Sequence, residues 1–366
     1  MKYFFLLFPM LLFSTCTKKQ ISTVEASKNA TPQIKNVILL IGDGMGVTQI
    51  SAGMYMNGNT LNLERCKVVG LHKPSASNNL VTDSAAGATA FACGKKTYNG
   101  AIGVDPDKKP VKSILEHAEE QGLATGLVAT STITHATPAS FIAHVEQRKM
   151  MEEIAMYFMK TEVDLFIGGG KKYFDNRSDK KNLSKQLREN GYYVSDFVTE
   201  TLEDVEIPMD KNFAYFTAND NPLPAYQGRD YIGVAARKAI SYLDQKSADK
   251  GFFLMIEGSQ IDWGGHANNS DYIVSEVIDF DNAVKAALDF AEKDGQTLVV
   301  ITADHETGGY AINKGSTLDS LVTQFTTDYH TADLIPVFAF GPGAAEFGGI
   351  YENTAIFDKM MKALFE

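Results

Sequence analysis

Three of the seven histidines in this 366-residue chain, His266, His305 and His330, lie where an apolar run has just ended or is about to begin. Asp262 precedes His266 by four residues in "EGSQIDWGGHANN", and Asp304 stands directly before His305 in "TADHETGG". A carboxylate and an imidazole four apart can reach one ion. Imidazole mixed with carboxylate favours zinc, whereas all-oxygen sets favour magnesium. Adjacent Asp and His also describe a buried ion pair, but three scattered core histidines would seldom all share this setting. Asp43 follows "NVILLI" in the turn "GDGMG", and Glu257 ends "FFLMIEG". An aspartate in a Gly-rich turn usually bonds its own backbone, so Asp43 gains weight only if other groups converge on it. The stretch "THATPASFIAHVEQR" supplies an imidazole at His135, a hydroxyl at Thr137 and a guanidinium at Arg148, with Pro138 suited to a first helical turn. Arginine can take two phosphate oxygens in parallel, although spacing alone favours a solvated helix end for Arg148. Finally, "VTDSAAGATAFACG" carries Asp83 and Ser84 and continues in small residues that permit close approach. A serine hydroxyl is a poor nucleophile at neutral pH, and no histidine flanks this one, so its use depends on an activating group from elsewhere in the chain.

Groups so far apart in sequence meet only if strand ends are brought together. Apolar runs at 36–42, 124–130, 164–170, 251–258, 297–304 and 334–341 read as buried strands, and their continuity implies a sheet covered on both faces. Helical patterns at 113–122, 152–160, 232–245 and 275–293 fall between them. The alternation predicts an α/β fold, a central mostly parallel sheet with helices on both faces, whose ligands bind at the carboxyl ends of the strands. Residues 33–366 form this domain, and the more polar 171–230 reads as an insertion on it.

At the N-terminus Lys2 leads the apolar run Tyr3–Phe13, too short for a bilayer span of about 20 residues. Residues 1–16 read as a lipoprotein-like signal peptide with Cys16 as the lipidation point, although Phe13 stands where leucine is usual. Residues 17–32 read as a polar tether. The expected location is the periplasm or the cell envelope, with a lipid anchor to the membrane. With 34 basic and 45 acidic residues, a net charge of −11, the chain offers no basic face for nucleic acid. An anionic substrate must be drawn by local positive charge such as bound metal. Cys66 and Cys93 are the only cysteines of the body and could pair in an oxidising compartment.

Taken in order, "GDGMG", "TDSAAGATAFACG", "HATPASFIAHVEQR", "EGSQIDWGGHANN", "TADHETGG" and "YHTAD" resemble the motifs of the alkaline phosphatase family across residues 36–341. The resemblance implies a phosphate-monoester hydrolase that works through a phosphoserine at Ser84. It implies that Asp262, His266 and His330 hold one zinc ion and that Asp43, Asp304 and His305 hold a second. Asp43, Thr137 and Glu257 would share a magnesium, and Arg148 would clamp the phosphate, with Asp83 beside the nucleophile. Zinc would favour the Ser84 alkoxide, and a helix N-terminus at Ser84 would favour the same charge. Three divalent ions and Arg148 exceed four carboxylates and an alkoxide by about two charges, which suits a phosphomonoester dianion better than a diester.

This chain has His135 where some family members have aspartate, which opens the third metal position to zinc or cobalt. Trp263 stands where others carry lysine or histidine, which implies a looser hold on product phosphate. The short interval from His305 to His330 leaves no room for the large crown insertion of many relatives. A more open site with broad substrate tolerance is expected, and the family's homodimer is left open. Two alternatives stand beside this reading. A phosphodiesterase of the same superfamily would typically lack the magnesium site and the paired arginine, and a sulfatase would need a C/S-x-P-x-R setting that Ser84 does not have. A non-catalytic phosphate-binding lipoprotein would have no reason to keep every catalytic position.

Overall fold

Strand β1 (Asn36–Gly42) is buried along its whole length. Val37, Leu39 and Ile41 enter one apolar cluster, while Ile38 and Leu40 enter another, as the alternation of side chains along a strand demands. A strand apolar on both sides must lie inside a three-layer domain, so helices have to cover both faces. The computed structural model describes residues 1–4 and 34–366, and the described residues from 34 onward form one compact unit. The signal-peptide reading of 1–16, beyond its first four residues, and the Cys16 and 17–32 tether readings lie outside the described residues. Among the described residues no helix is long and apolar enough to cross a membrane.

Thirteen more strands follow: β2 (Val68–Lys73), β3 (Ala124–Thr132), β4 (Leu165–Gly169), β5 (Tyr192–Asp196), β6 (Asn212–Phe216), β7 (Phe252–Gly258), β8 (Thr297–Thr302), β9 (Glu306–Thr307), β10 (Tyr310–Ile312), β11 (Thr323–Phe325), β12 (His330–Thr331), β13 (Ile335–Phe340) and β14 (Gly349–Glu352). Ten of the fourteen build one sheet in the order β14-β2-β13-β8-β1-β7-β3-β4-β6-β5. All neighbours run parallel except β13, which is antiparallel to both β2 and β8. The helices Ser84–Cys93, Ile114–Gln121 and Ala355–Phe365 pack on the face of Val37, and Ile232–Lys246 and Ser270–Asp294 pack on the face of Ile38. The expected mostly parallel α/β sheet is therefore present.

This topology does the positioning. β8, β1, β7 and β3 are consecutive in the sheet and parallel, so their carboxyl ends form one edge, with neighbours about 4.8 Å apart. β13 runs the other way, which brings the residues just before it, including β12, to the same edge.

The segment 171–230, read from sequence as irregular, contains the helices Lys172–Asp175 and Leu183–Glu189 and the strands β5 and β6, which extend the main sheet at its far edge. Polar residues within and around these short elements hid them, including the buried Ser195 and Asp196 of β5. Cys66 and Cys93 are both buried and free, and they belong to the clusters on opposite faces of the sheet, so they form no disulfide.

Arg229 secures the end of this segment. Its Nη2 donates to Glu276 Oε2 and to Asp279 Oδ2, each at 2.6 Å, and its Nη1 donates to Leu223 O at 3.2 Å. All three charged side chains are buried. Removing one partner of such a network strands the others, at a cost of about 3–5 kcal/mol. Arg229→Met should lower unfolding free energy by that much in urea titration, and a change below about 1 kcal/mol would show that the network does not hold the loop.

Candidate active site

Ser84 is the first residue of the helix Ser84–Cys93, and Asp83 is its N-cap, with a side chain that accepts from Ala86 N at 3.0 Å. The position of the Ser84 hydroxyl is thus set by ordinary capping chemistry. The small residues behind it have a packing reason. A Cβ at Gly87 would sit 2.9 Å from Asp304 Cβ, so only glycine lets this helix close on the end of β8. Ser84 Oγ lies 3.4 Å from Asp43 Oδ1 and 3.4 Å from His305 Nε2. Neither contact is that of a tight general base.

Each remaining residue comes from an edge of the sheet. Asp43 follows β1, Glu257 lies on β7 opposite Ile41, and Asp304 and His305 follow β8. His135 and Thr137 come from the turn after β3, Asp262 and His266 from the short helix Ile261–His266, and His330 from β12. Three groups of ligand atoms converge: Asp43 with Asp304 and His305, Asp43 with His135 and Glu257, and Asp262 with His305 and His330. His266 joins the last group, with Nε2 at 3.4 Å from Asp262 Oδ1 and 3.2 Å from His330 Nε2. Two features differ from the sequence reading. His135 faces Asp43 and Glu257 as a member of the second group, a site whose ligands the sequence reading gave as Asp43, Thr137 and Glu257. His305 reaches the Asp262 group as well as its own, and its ring is stacked 3.6 Å from that of His330.

The donor chemistry fits cations. His266 Nδ1 donates to Asp328 O at 2.7 Å and His330 Nδ1 to Thr82 O at 2.8 Å. Those bonds fix each ring so that Nε2 presents a lone pair, the usual arrangement of a metal-binding histidine. Asp43 Oδ2, Glu257 Oε1, Asp304 Oδ2, Thr137 Oγ1 and His135 Nδ1 are buried without a hydrogen-bond partner. Buried polar atoms are rarely left so, and a cluster of five at one spot calls for ions.

Electrostatics point the same way. Burial, then the charges of Asp304, Asp262 and Glu257, pushes the Asp43 carboxyl well above its ordinary range. Burial likewise raises Glu257 to about 7 and, with Asp262, raises Asp304 to about 6. Asp262 goes the other way: against the effect of burial, the hydrogen bond with His330 and the charges of His305, His330 and His266 hold it low. Burial and the neighbouring His330 keep His305 well below its usual value and therefore neutral. Four acids around one guanidinium leave negative charge that divalent cations would neutralise.

Arg148 is turned into this site. Its Nη1 donates to Asp83 Oδ2 at 3.0 Å and its Nη2 lies 3.4 Å from His135 Nε2, while its backbone N–H donates to Gly100 O at 2.7 Å. The solvated-helix-end alternative for Arg148 therefore does not describe it. Trp263 is half-buried and meets the His135 ring edge-on at 6.0 Å.

Sequence reasoning missed the residues that hold the ligands. Thr307 Oγ1 donates to Asp262 Oδ1 at 2.5 Å and lies 3.2 Å from His305 Nδ1. Ser259 Oγ donates to Glu257 Oε2 at 2.6 Å. Each stands two residues past a candidate ligand, the spacing that returns a side chain to the same side of an extended chain, and that spacing was the available signal.

Residues 34–324 match the family model described as Alkaline phosphatase. Alkaline phosphatase 4 of Bacillus subtilis (strain 168) is 35% identical, with 94% of this chain and 91% of that protein covered. Alkaline phosphatase of Escherichia coli (strain K12) is 33% identical over 90% of this chain and 86% of its own. The solved structure of alkaline phosphatase from the Antarctic bacterium TAB5 matches with a TM-score of 0.83 at 46% identity, covering 92% of this chain and 99% of that one. The family model spans most of this chain and these relatives cover nearly all of it, so the chain belongs to the alkaline phosphatase family, as a metal-binding hydrolase of phosphate monoesters.

Proposed function

We propose that Ser84 is the nucleophile of this phosphatase and that its neighbours divide three ions among them. Asp262, His266 and His330 would hold one zinc ion, and Asp43, Asp304 and His305 a second. Asp43, Glu257, Thr137 and His135 would hold a third ion, magnesium. When bound, these ions neutralise the buried carboxylates and act as Lewis acids that favour the deprotonated oxygen of Ser84 and of the attacking water. Ser84 Oγ attacks phosphorus, the Oγ–P bond forms, and the bond to the leaving oxygen breaks in line on the Asp262–His266–His330 side. Arg148 binds two phosphoryl oxygens through its guanidinium while Asp83 holds that group in place. The amides at the start of the Ser84–Cys93 helix favour the charge that develops. Water then cleaves the phosphoseryl bond, and Ser84 recovers its proton. Trp263, in place of a cation, leaves the departing phosphate held chiefly by Arg148.

Magnesium is the ion bound in the M3 site of TAB5 enzyme variants in which a histidine is replaced by aspartate or glutamate. That supports a magnesium position in this fold, and an imidazole such as His135 at that position would let zinc or cobalt compete for it. Export follows from the sequence at Lys2–Cys16, as a lipid-anchored protein of the cell envelope.

The observation that carries the reading is the position of Ser84 Oγ, equidistant from an Asp43 oxygen and the His305 Nε2 lone pair. The test compares a nitrophenyl phosphate monoester with its diester on purified protein whose metal content has been measured. The monoester should be hydrolysed faster by orders of magnitude with about two zinc ions per chain; a preference for the diester would overturn the assignment.

A further inference from the structure

Glu257 divides its carboxylate between two tasks. Oε1 is buried and unpartnered, and the carboxylate is part of the group formed with Asp43 and His135. Oε2 is turned away and receives hydroxyls: Ser259 Oγ at 2.6 Å and Ser131 Oγ at 3.4 Å, with the two serine oxygens 3.0 Å apart. All three side chains are fully buried. A hydroxyl has one proton, and the short bond to a charged acceptor claims that of Ser259. The Ser131 proton is then shared among Thr132 O at 3.2 Å, Ser259 Oγ at 3.0 Å and Glu257 Oε2 at 3.4 Å, and in the latter two directions it supports the carboxylate from behind. Register creates the cluster. β3 lies beside β7 with Ala129 opposite Glu257, and two residues further on each chain Ser131 meets Ser259. The backbone is tied there as well, since Ser259 N donates to Thr130 Oγ1 at 2.8 Å.

We infer that Ser259, backed by Ser131, is a positioning residue for the third ion: it holds Oε2 so that Oε1 points at the ion position shared with Asp43 and His135. The inference rests on the assignment of Glu257 as a ligand of that ion. Without the hydroxyl, Glu257 Oε2 loses its one short donor in a dry site, and the carboxylate is free to rotate or to take up a proton. Neither Ser259 nor Ser131 forms a hydrogen bond with Asp262, His266, Asp304, His305 or His330. The effect should therefore fall on one ion of three. A general loosening of the fold would lower the affinity for all of them.

The experiment loads metal-free protein with two equivalents of zinc per chain and then titrates magnesium by equilibrium dialysis, reading both metals by elemental analysis. Ser259→Ala should weaken magnesium binding about 10- to 100-fold, the usual effect of losing a group that orients a ligand, while the two zinc ions stay bound as in the unaltered protein. Ser131→Ala should weaken magnesium in the same direction by less, because its contact with Glu257 is longer. Retained zinc shows that the variant is folded. Glu257→Gln separates the two ideas. Magnesium affinity lost in Glu257→Gln but unchanged in Ser259→Ala would overturn the positioning role alone. Unchanged affinity in both would overturn the ligand assignment beneath it, and equal loss of zinc and magnesium in Ser259→Ala would reduce Ser259 to a structural contact.

Discussion

Ser84→Ala is expected to lower kcat for a phosphate monoester by about 10³- to 10⁶-fold, the range seen when a covalent nucleophile is removed, while the protein keeps its fold and its ions. The fold should survive because the substitution deletes one oxygen at a helix start whose cap is the side chain of Asp83. Alanine is also well tolerated in a helix. The ions should stay because none of the three converging groups needs the hydroxyl. Catalysis should fail because the reaction would then depend on water attacking the substrate directly. Residual turnover can still draw on the ions and on Arg148, which sets the lower end of the range. Two measurements decide the matter. Brief mixing with labelled substrate followed by acid quench should trap phosphate on the unaltered protein and none on the variant, and elemental analysis should give equal metal in both. Turnover within tenfold of normal at equal metal content would mean that water, and not Ser84, attacks phosphorus.

The sequence was most legible where one short segment holds both a strand end and a ligand. Asp43 after β1, Glu257 within β7 and Asp304–His305 after β8 could be placed together because parallel neighbours end on one edge. The six apolar runs read as strands all appear in the central sheet, since burial, complete in five of them and nearly so in β13, leaves an uninterrupted apolar signature. β2 and β14 lacked that signature, being partly exposed at one edge. At the opposite edge β5 and β6 were lost in a polar segment. What stayed hidden at the site depends on register between strands. Nothing near Ser131 in the chain indicates that Ser259 will lie 3.0 Å away. The same holds for His305, whose stacking on His330 follows from the antiparallel pairing of β9 with β12. Spacing alone favoured a solvated helix end for Arg148, because what sets its direction is Asp83, 65 residues earlier.

Stripping the ions with a chelator should abolish activity and lower the thermal midpoint at pH 8 by on the order of 10 °C or more, since an ion bound at a thousand times its Kd stabilises the native state by about 4 kcal/mol. The size of that stabilisation should depend on pH in a defined direction. In the metal-free native state, burial raises Glu257 to about 7 and Asp304 to about 6, and it places Asp43 well above its ordinary range. A bond to Asp262 raises His330 despite burial. An acid with a raised native pKa favours the native state below its unfolded value, near 4, and that contribution is lost as pH rises through 6 to 7. Acidification from pH 8 to 6 therefore helps the metal-free fold at these groups. It does nothing of the kind for the loaded fold, where ions keep them ionised. The difference between loaded and metal-free midpoints should shrink over this interval, and chelation at pH 6 should be accompanied by proton uptake. His305 should not contribute, because burial already holds it neutral. Comparing the two forms at each pH removes the titration of the unfolded chain, which is common to both. A midpoint difference that stays constant or grows on acidification would mean that these carboxylates do not hold the ions, and the activation of Ser84 would then need another source.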